Sequence, residues 1–474
     1  MAAGGTERGR ARGRAPCLAK FLPGLILSLL ALACGPGAEE LRARDPRPNV
    51  VIISMDTTRA DHLSAYGYER DTSASLRDLA GEGMRFEVAY SPSATTAPSH
   101  ASLFTGLAPI AHGVAKNGWP LEGEFETLAE TLGTEGYETA AVVSSYVLSS
   151  RFGFDQGFDH FDADFSQADV LSGDRLWEGE LLSGKFYGRA DDTTRRGLSW
   201  LGQRSHPERP FFLFVHYFDP HNPYLPPEGY EPPFRPGARE ALKLNRTIFF
   251  YDTLIAFTDQ EIGRLLQGLE ARGLKGNTLV IVVGDHGEGL MNHGHMFHGV
   301  HIYEEGVRVP LIIRWPGHVP AGVVAPGPVQ LADLAPSVLE LAGVSSAEPV
   351  QGQSIARFLL GGDDLEEGRA VHLYRRHYEG GEVVEGIYAE GEKFGLRRGR
   401  WKLIEGPREG TLELFDLETD PGEEDNLAER QPERVKVMRE EIAAWRRAHT
   451  RDAKDRRLPS AEEREGLEAL GYTE

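Results

Sequence analysis

Asn49-Val50-Val51-Ile52-Ile53-Ser54-Met55-Asp56 is a run of apolar, largely β-branched residues that stops at a carboxylate. A continuous run of this kind predicts a strand buried on both faces rather than one with alternating polarity. Three more runs share its texture: Phe211 to His216, Thr278 to Val283, and Val309 to Arg314. Helical segments are expected at Leu76 to Gly81, Phe125 to Gly136 and Phe249 to Arg272, with a further strand at Thr139 to Ser144. Buried strands alternating with helices predict an α/β fold, a mixed but mostly parallel central sheet with helices on both faces.

Ligands of such sheets bind beyond the carboxyl ends of the strands. Asp56 ends the first run, Asp219-Pro220-His221 follows the second, and Gly284-Asp285-His286-Gly287-Glu288 follows the third. These residues are far apart in sequence and are expected to meet at one sheet edge. After Gly343 the texture changes to short strand-like pieces, Gly386 to Ala389, Trp401 to Ile404 and Glu413 to Leu417, and then a charged helix, Pro432 to His449. The expected organisation is a catalytic domain over 48–345 and, over 346–474, a C-terminal subdomain with a small antiparallel sheet.

The 474-residue chain carries 72 acidic against 51 basic residues, a net charge of −21. That balance argues against nucleic acid as a partner. Anions are still accessible to such a protein where a metal or local cations reverse the field. Residues 1–33 have the form of an export signal: Arg8, Arg10, Arg12, Arg14 and Lys20 precede the apolar stretch Phe21 to Leu32. Ala31-Leu32-Ala33-Cys34 fits two outcomes, cleavage after Ala33 or lipidation of Cys34 as the new N-terminus. Residues 34–47 would then be a tether, and the protein would be exported, periplasmic or anchored to a bacterial outer membrane through that lipid alone. The two cysteines, Cys17 and Cys34, both precede the body of the protein, so no internal disulfide or cysteine-ligated metal is expected.

Thr95-Thr96-Ala97-Pro98-Ser99-His100 opens a segment that reads as a helix. Proline suits the first turn of a helix, where its missing N–H costs nothing. Thr96 is therefore expected where free N–H groups and the positive end of a helix dipole converge, as either a cap or a nucleophile. Asp56, Asp285, His286 and Thr96 Oγ together offer three oxygens and one nitrogen to a single divalent cation. The imidazole of His286 favours zinc or manganese, with calcium possible.

These segments resemble the sulfatase family of the alkaline phosphatase superfamily, from about Pro48 to about Gln431. Met55 to Leu63 is similar to its first metal-ligand segment, and Thr96-Ala97-Pro98-Ser99 stands at its C/S-x-P-x-R signature. Phe218 to Tyr224 resembles the segment with an active-site histidine, and Val283 to Glu288 the second metal segment. Tyr303 to Pro310, Trp315-Pro316-Gly317, Asp333 to Pro336 and Leu414 to Pro421 follow in family order. The resemblance implies a metal-dependent hydrolase of anionic esters, with Thr96 as nucleophile and His221 as the acid that protonates the leaving oxygen.

The departures are informative. Sulfatases convert the signature Cys or Ser to formylglycine, and Thr96 cannot become that aldehyde, so no formylglycine is expected. His100 replaces the signature Arg and joins the catalytic set. Thr57 replaces the second Asp of the first metal pair, and His286 stands at the asparagine ligand position. The G-K-W-H run expected after Thr139 is absent, and His298 occupies the place of a second lysine, as a substrate-binding residue. Asn117 either binds a non-bridging oxygen or is a loop amide, and Lys116 is expected to face solvent. His293, His295, His298 and His301 could hold a second metal, bind the substrate anion, or be exposed. The expected function is hydrolysis of a sulfate, phosphate or phosphonate ester. Transfer of a phospho-group, or a lapsed fold that only binds anionic glycans, are the alternatives.

Overall fold

Strand β1 (Asn49–Met55) is buried along its whole length and lies near the centre of an eight-stranded sheet. The other strands are β2 (Met84–Phe86), β3 (Glu138–Val142), β4 (His160–Asp162), β5 (Phe211–Tyr217), β6 (Thr278–Gly284), β7 (Leu311–Arg314) and β8 (Val323–Ala325). Their spatial order is β8-β2-β7-β6-β1-β5-β3-β4. Strands β6, β1, β5, β3 and β4 run parallel, and β7 alone is antiparallel to its two neighbours. The computed structural model describes residues 47–165, 175–177, 180–182, 187–237, 242–346, 349–362, 364–366, 368–384, 386–451 and 460. The readings of residues 1–33 as an export signal, of Cys34 as a lipidation site and of the tether up to 46 lie outside the described residues.

Two apolar layers cover the sheet, as its unbroken apolar strands require. Val50 and Ile52 face one layer with helices α2 (Thr96–Thr105), α3 (Leu128–Thr134) and α6 (Leu334–Leu341). Val51, Ile53 and Met55 face the other, with α1 (Ala74–Gly81), α4 (Ala190–Gly202) and α5 (Lys243–Ala271). Each fully buried branched side chain contributes on the order of 1.5–3 kcal/mol. The fold is therefore the expected α/β class. Among the described residues no helix is long and apolar enough to cross a membrane.

Several boundaries differ from expectation. The helix expected from Phe125 starts at Leu128, because Thr127 and Glu130 close a reciprocal capping box. The helix expected from Phe249 starts earlier, at Lys243. The strand expected over Val309 to Arg314 is split at Pro310, which has no N–H to donate. Arg308–Val309 joins a small sheet with Ala89–Tyr90, and only Leu311–Arg314 enters the main sheet.

Strands β9 (Ala370–Val384), β10 (Ile387–Arg398), β11 (Trp401–Gly406) and β12 (Thr411–Asp416) form an antiparallel meander, followed by α7 (Pro432–His449). This sheet packs on the segment that follows Asp285-His286. Tyr378 Oη donates to Gly299 O (3.3 Å), and Arg375 donates to Val300 O (3.4 Å). Lys402, fully buried, lies 3.0 Å from Glu304 and 2.9 Å from Glu423.

Candidate active site

Parallel register sets the site. Met55 of β1 pairs with Gly284 of β6, so Asp56 and Asp285 leave neighbouring strands side by side. Their backbone N–H groups are held by Tyr217 O (2.9 Å) and Met55 O (3.3 Å). Thr57 adopts a left-handed φ of 48°, uncommon for a β-branched residue, and its N–H donates to Asp285 Oδ1 at 3.1 Å. The N–H of His286 donates to the same oxygen at 2.7 Å. Gly287 is required here, since a Cβ would stand 1.9 Å from Glu305 O.

Three oxygens at this edge are buried without a hydrogen-bond partner: Asp56 Oδ1, Asp56 Oδ2 and Asp285 Oδ2. His286 Nδ1–H donates to Gly287 O (2.8 Å), so Nε2 carries the lone pair. That Nε2 is 3.6 Å from Asp56 Oδ1, 3.6 Å from Asp285 Oδ2 and 3.2 Å from Thr96 Oγ1, whose hydroxyl donates to it. Burial pushes the Asp56 carboxyl up. Burial and the neighbouring Asp56 charge push Asp285 well above the usual carboxylate range. Burial holds His286 well below the usual imidazole range. Unpaired buried carboxylates beside a neutral imidazole are a donor set that fits one divalent cation.

Thr96 is the first residue of α2, and the N-cap position is Thr95, with no side-chain cap bond. The cap role considered for Thr96 is therefore not the one it plays; its hydroxyl points at His286. Asn117 Oδ1 accepts from Ala97 N–H (2.8 Å), which fixes the amide at the start of α2. Asn117 Nδ2 is left buried and without a partner, a donor suited to an anion.

His221 Nδ1–H donates to Asn222 O (2.6 Å), and the ring stacks on Phe218 with centroids 4.5 Å apart. Burial lowers its pKa to about 4, against the pull of Asp56. His298 sits between the two groups of the site, its ring 4.5 Å from His286 and 5.1 Å from His221. Its Nδ1–H donates to Glu288 Oε1 (3.1 Å), and Tyr224 Oη donates to Glu288 Oε2 (2.8 Å).

His100 differs from its expected place among catalytic groups. Its Nδ1–H donates to Thr96 O (2.8 Å), and Nε2 accepts from the Ser54 hydroxyl (2.9 Å). Both nitrogens are engaged under α2, and burial lowers its pKa to about 3. Its ring is fully buried and tied to the backbone of Thr96. A second cluster of possible ligands, His100, His216 and Asp285, shares Asp285 with the first. Both groups are candidate ligand sets; that of Asp56, Asp285 and His286 carries all three of the unpartnered carboxylate oxygens.

Lys116 lies over the Trp119 ring, 5.9 Å from its centroid. His293 donates from Nδ1 to Glu305 (2.7 Å) and stacks on Tyr303. Among the described residues, no group of three possible ligands includes a histidine of this loop. His216 and Glu288 were not expected in the site. His216 reads in sequence as the end of a strand, and only the register with Ser54 brings it to Asp56. A cavity of about 240 Å³ lies elsewhere, beside Phe104, Leu107 and Leu339 at the far end of α2, and contains none of these groups.

The chain belongs to the sulfatase family, whose pattern matches residues 48–344. A second family, the C-terminal part of N-sulphoglucosamine sulphohydrolase, matches 292–448. The chain is thus an ester hydrolase of that family by descent. It is 24% identical to an N-acetylglucosamine-6-O-sulfatase of Bacteroides thetaiotaomicron, over 88% of this chain and 90% of that protein. It is 26% identical to an arylsulfatase of Clostridium perfringens, covering 83% and 93%. Its fold is similar to that of a phosphonate monoester hydrolase of Agrobacterium radiobacter (22% identity, TM-score 0.70, 85% and 96% covered). It is equally similar to a protein solved with its substrate D-glucosamine-2-N,6-O-disulfate (22% identity, TM-score 0.70, 85% and 98% covered).

Proposed function

We propose that the protein hydrolyses an anionic ester with Thr96 as nucleophile, and that phosphorus esters, phosphate or phosphonate, are turned over in preference to sulfate. The observation that carries this is Thr96 Oγ1 held 3.2 Å from His286 Nε2 beside three unpartnered carboxylate oxygens. Asp56, Asp285, His286 and Thr96 would hold one divalent cation, manganese or zinc by the imidazole, with calcium the weaker fit. When bound, the cation supplies a Lewis acid that lowers the pKa of the hydroxyl and offsets charge on the non-bridging oxygens.

Thr96 Oγ1, its proton released to solvent, attacks the ester centre in line with the leaving oxygen. Asn117 Nδ2 and His298 bind the non-bridging oxygens, and His221 Nε2–H protonates the leaving oxygen as its bond to the centre breaks. The neighbouring anionic substrate raises the proton affinity of His221 from its low unliganded value. Water then attacks the Thr96 ester, and the hydroxyl is restored. Thr96 cannot become the formylglycine whose hydrate attacks sulfur in sulfatases, and this favours phosphorus esters. The similar N-acetylglucosamine-6-O-sulfatase and the protein solved with a disulfated glucosamine support a small-molecule or glycan ester as substrate. Export through residues 1–33, with Cys34 as a lipid anchor, and the division at 345 belong to the same proposal.

The test is the purified protein with Mn²⁺, Zn²⁺, Ca²⁺ or Mg²⁺ added singly, assayed on matched aryl phosphate, phosphonate and sulfate esters. Turnover of phosphorus esters with Mn²⁺ or Zn²⁺ is expected. Turnover of sulfate alone would overturn the stated preference, and metal-independent turnover would overturn the mechanism.

A further inference from the structure

His216 is a buried imidazole to which the hydrolytic sequence above gives no role. It lies in β5, in register with Ser54 of β1, on the sheet face that also leads to Asp56. Residues in parallel register share a face, so His216, Ser54 and Asp56 form one layer behind the reacting groups. His100 fills the rest of that layer. Its ring meets that of His216 edge-on at 5.1 Å, and both its nitrogens are committed to Ser54 and Thr96. His216 is fully buried, and neither of its nitrogens has a hydrogen-bond partner. Its Nε2 lies 3.4 Å from Asp56 Oδ2, an oxygen that also lacks one. The other oxygen of the same carboxylate, Oδ1, is the one that faces His286 Nε2.

Asp56 thus meets His216 with one oxygen and the candidate cation site with the other. Carboxylates that bind metals are usually fixed by a hydrogen bond to the oxygen not used for the metal. We propose that His216 is a positioning residue for Asp56: with the cation in place it donates Nε2–H to Oδ2, a contact that stands at 3.4 Å without hydrogen-bond geometry in the structure, and so keeps Oδ1 turned to the cation. The role rests on the metal site proposed above. It makes the tautomer of His216 a requirement, with the proton on Nε2, because a bare Nε2 would set a lone pair against the carboxylate. It also separates the histidines of the site by task. His286 binds the cation, His221 and His298 face the substrate, and His100 and His216 hold Thr96 and Asp56 in place.

The test measures Mn²⁺ binding to metal-free protein by equilibrium dialysis, with free Mn²⁺ counted by electron paramagnetic resonance. Wild type, His216→Leu and His216→Gln are compared, with far-UV circular dichroism as the check on folding. His216→Leu is expected to bind 10–100-fold more weakly, roughly as for loss of other outer-sphere partners. His216→Gln keeps an N–H donor and is expected within about threefold of wild type. Wild-type affinity in His216→Leu would overturn the role, as would a loss in His216→Gln as large as in His216→Leu. If His216→Leu does not fold, His216→Gln decides: retained affinity supports the donor, and a loss of about tenfold or more overturns it. Wild-type protein that binds no Mn²⁺ would instead overturn the metal site itself, so the two failures are told apart in separate arms.

Discussion

His286 Nε2 stands 3.2 Å from Thr96 Oγ1 because the end of β6 and the start of α2 converge on the same edge of the sheet. One imidazole edge therefore faces both the hydroxyl and the carboxylates of Asp56 and Asp285. Without a cation, two buried carboxylates repel one another, and each resists ionisation. Metal binding must then stabilise the fold. Mn²⁺ at about 100 times its dissociation constant should add about 2.7 kcal/mol to unfolding in urea. Asp285→Asn removes one of the repelling charges. Its metal-free form should be at least as stable as metal-free wild type, and added Mn²⁺ should leave its urea midpoint nearly unchanged.

Asn117 separates anchoring from anion binding within one side chain. Its Oδ1 holds Ala97 N–H and its Nδ2 is the unpartnered donor. Asn117→Asp keeps the acceptor and replaces the donor with a negative charge. The folded protein should melt close to wild type, while kcat/KM for an aryl phosphate falls by about 10²–10³, the usual cost of losing one oxyanion donor. A steady-state assay beside a thermal melt checks both halves.

Glu423 gives a pH signature outside the reacting groups. It sits beside Lys402 and Glu304, and burial pushes its carboxyl up to about 7 from 4.5. The folded state therefore holds a proton that the unfolded state releases near 4.5. The cost of ionising Glu423 is absent below that value, grows as pH rises and is complete above about 7. Glu423→Gln does not titrate. Its stability relative to wild type should improve by about 3 kcal/mol between the two limits and then level off. Urea unfolding across that pH range measures the difference; a flat difference would contradict the buried-carboxyl origin.

The central strands were legible because β1, β5 and β6 are unbroken apolar runs, and their carboxyl ends announced Asp56, His221, Asp285 and His286. Strand direction was not legible, since an apolar run such as Leu311–Arg314 looks the same parallel or antiparallel. Strand β9 was hidden by its charges: Arg375 is buried against Glu409, a pairing that appears only when β9 and the turn after β11 are folded together. His100 was expected among the catalytic groups from its place in the signature alone. The fold engages both its nitrogens inside the protein. His216 carried no signal in its neighbours, because its role comes from register across two strands.

Thr96 as nucleophile requires a covalent ester on its oxygen during turnover. Rapid acid quench of the Mn²⁺-loaded protein with an aryl phosphate, followed by peptide mass spectrometry, reads that bond. A phosphoryl group on the peptide containing Thr96, absent in Thr96→Ala together with turnover, is the expected result. Turnover that persists in Thr96→Ala, or a phosphoryl group carried by another residue, would contradict it.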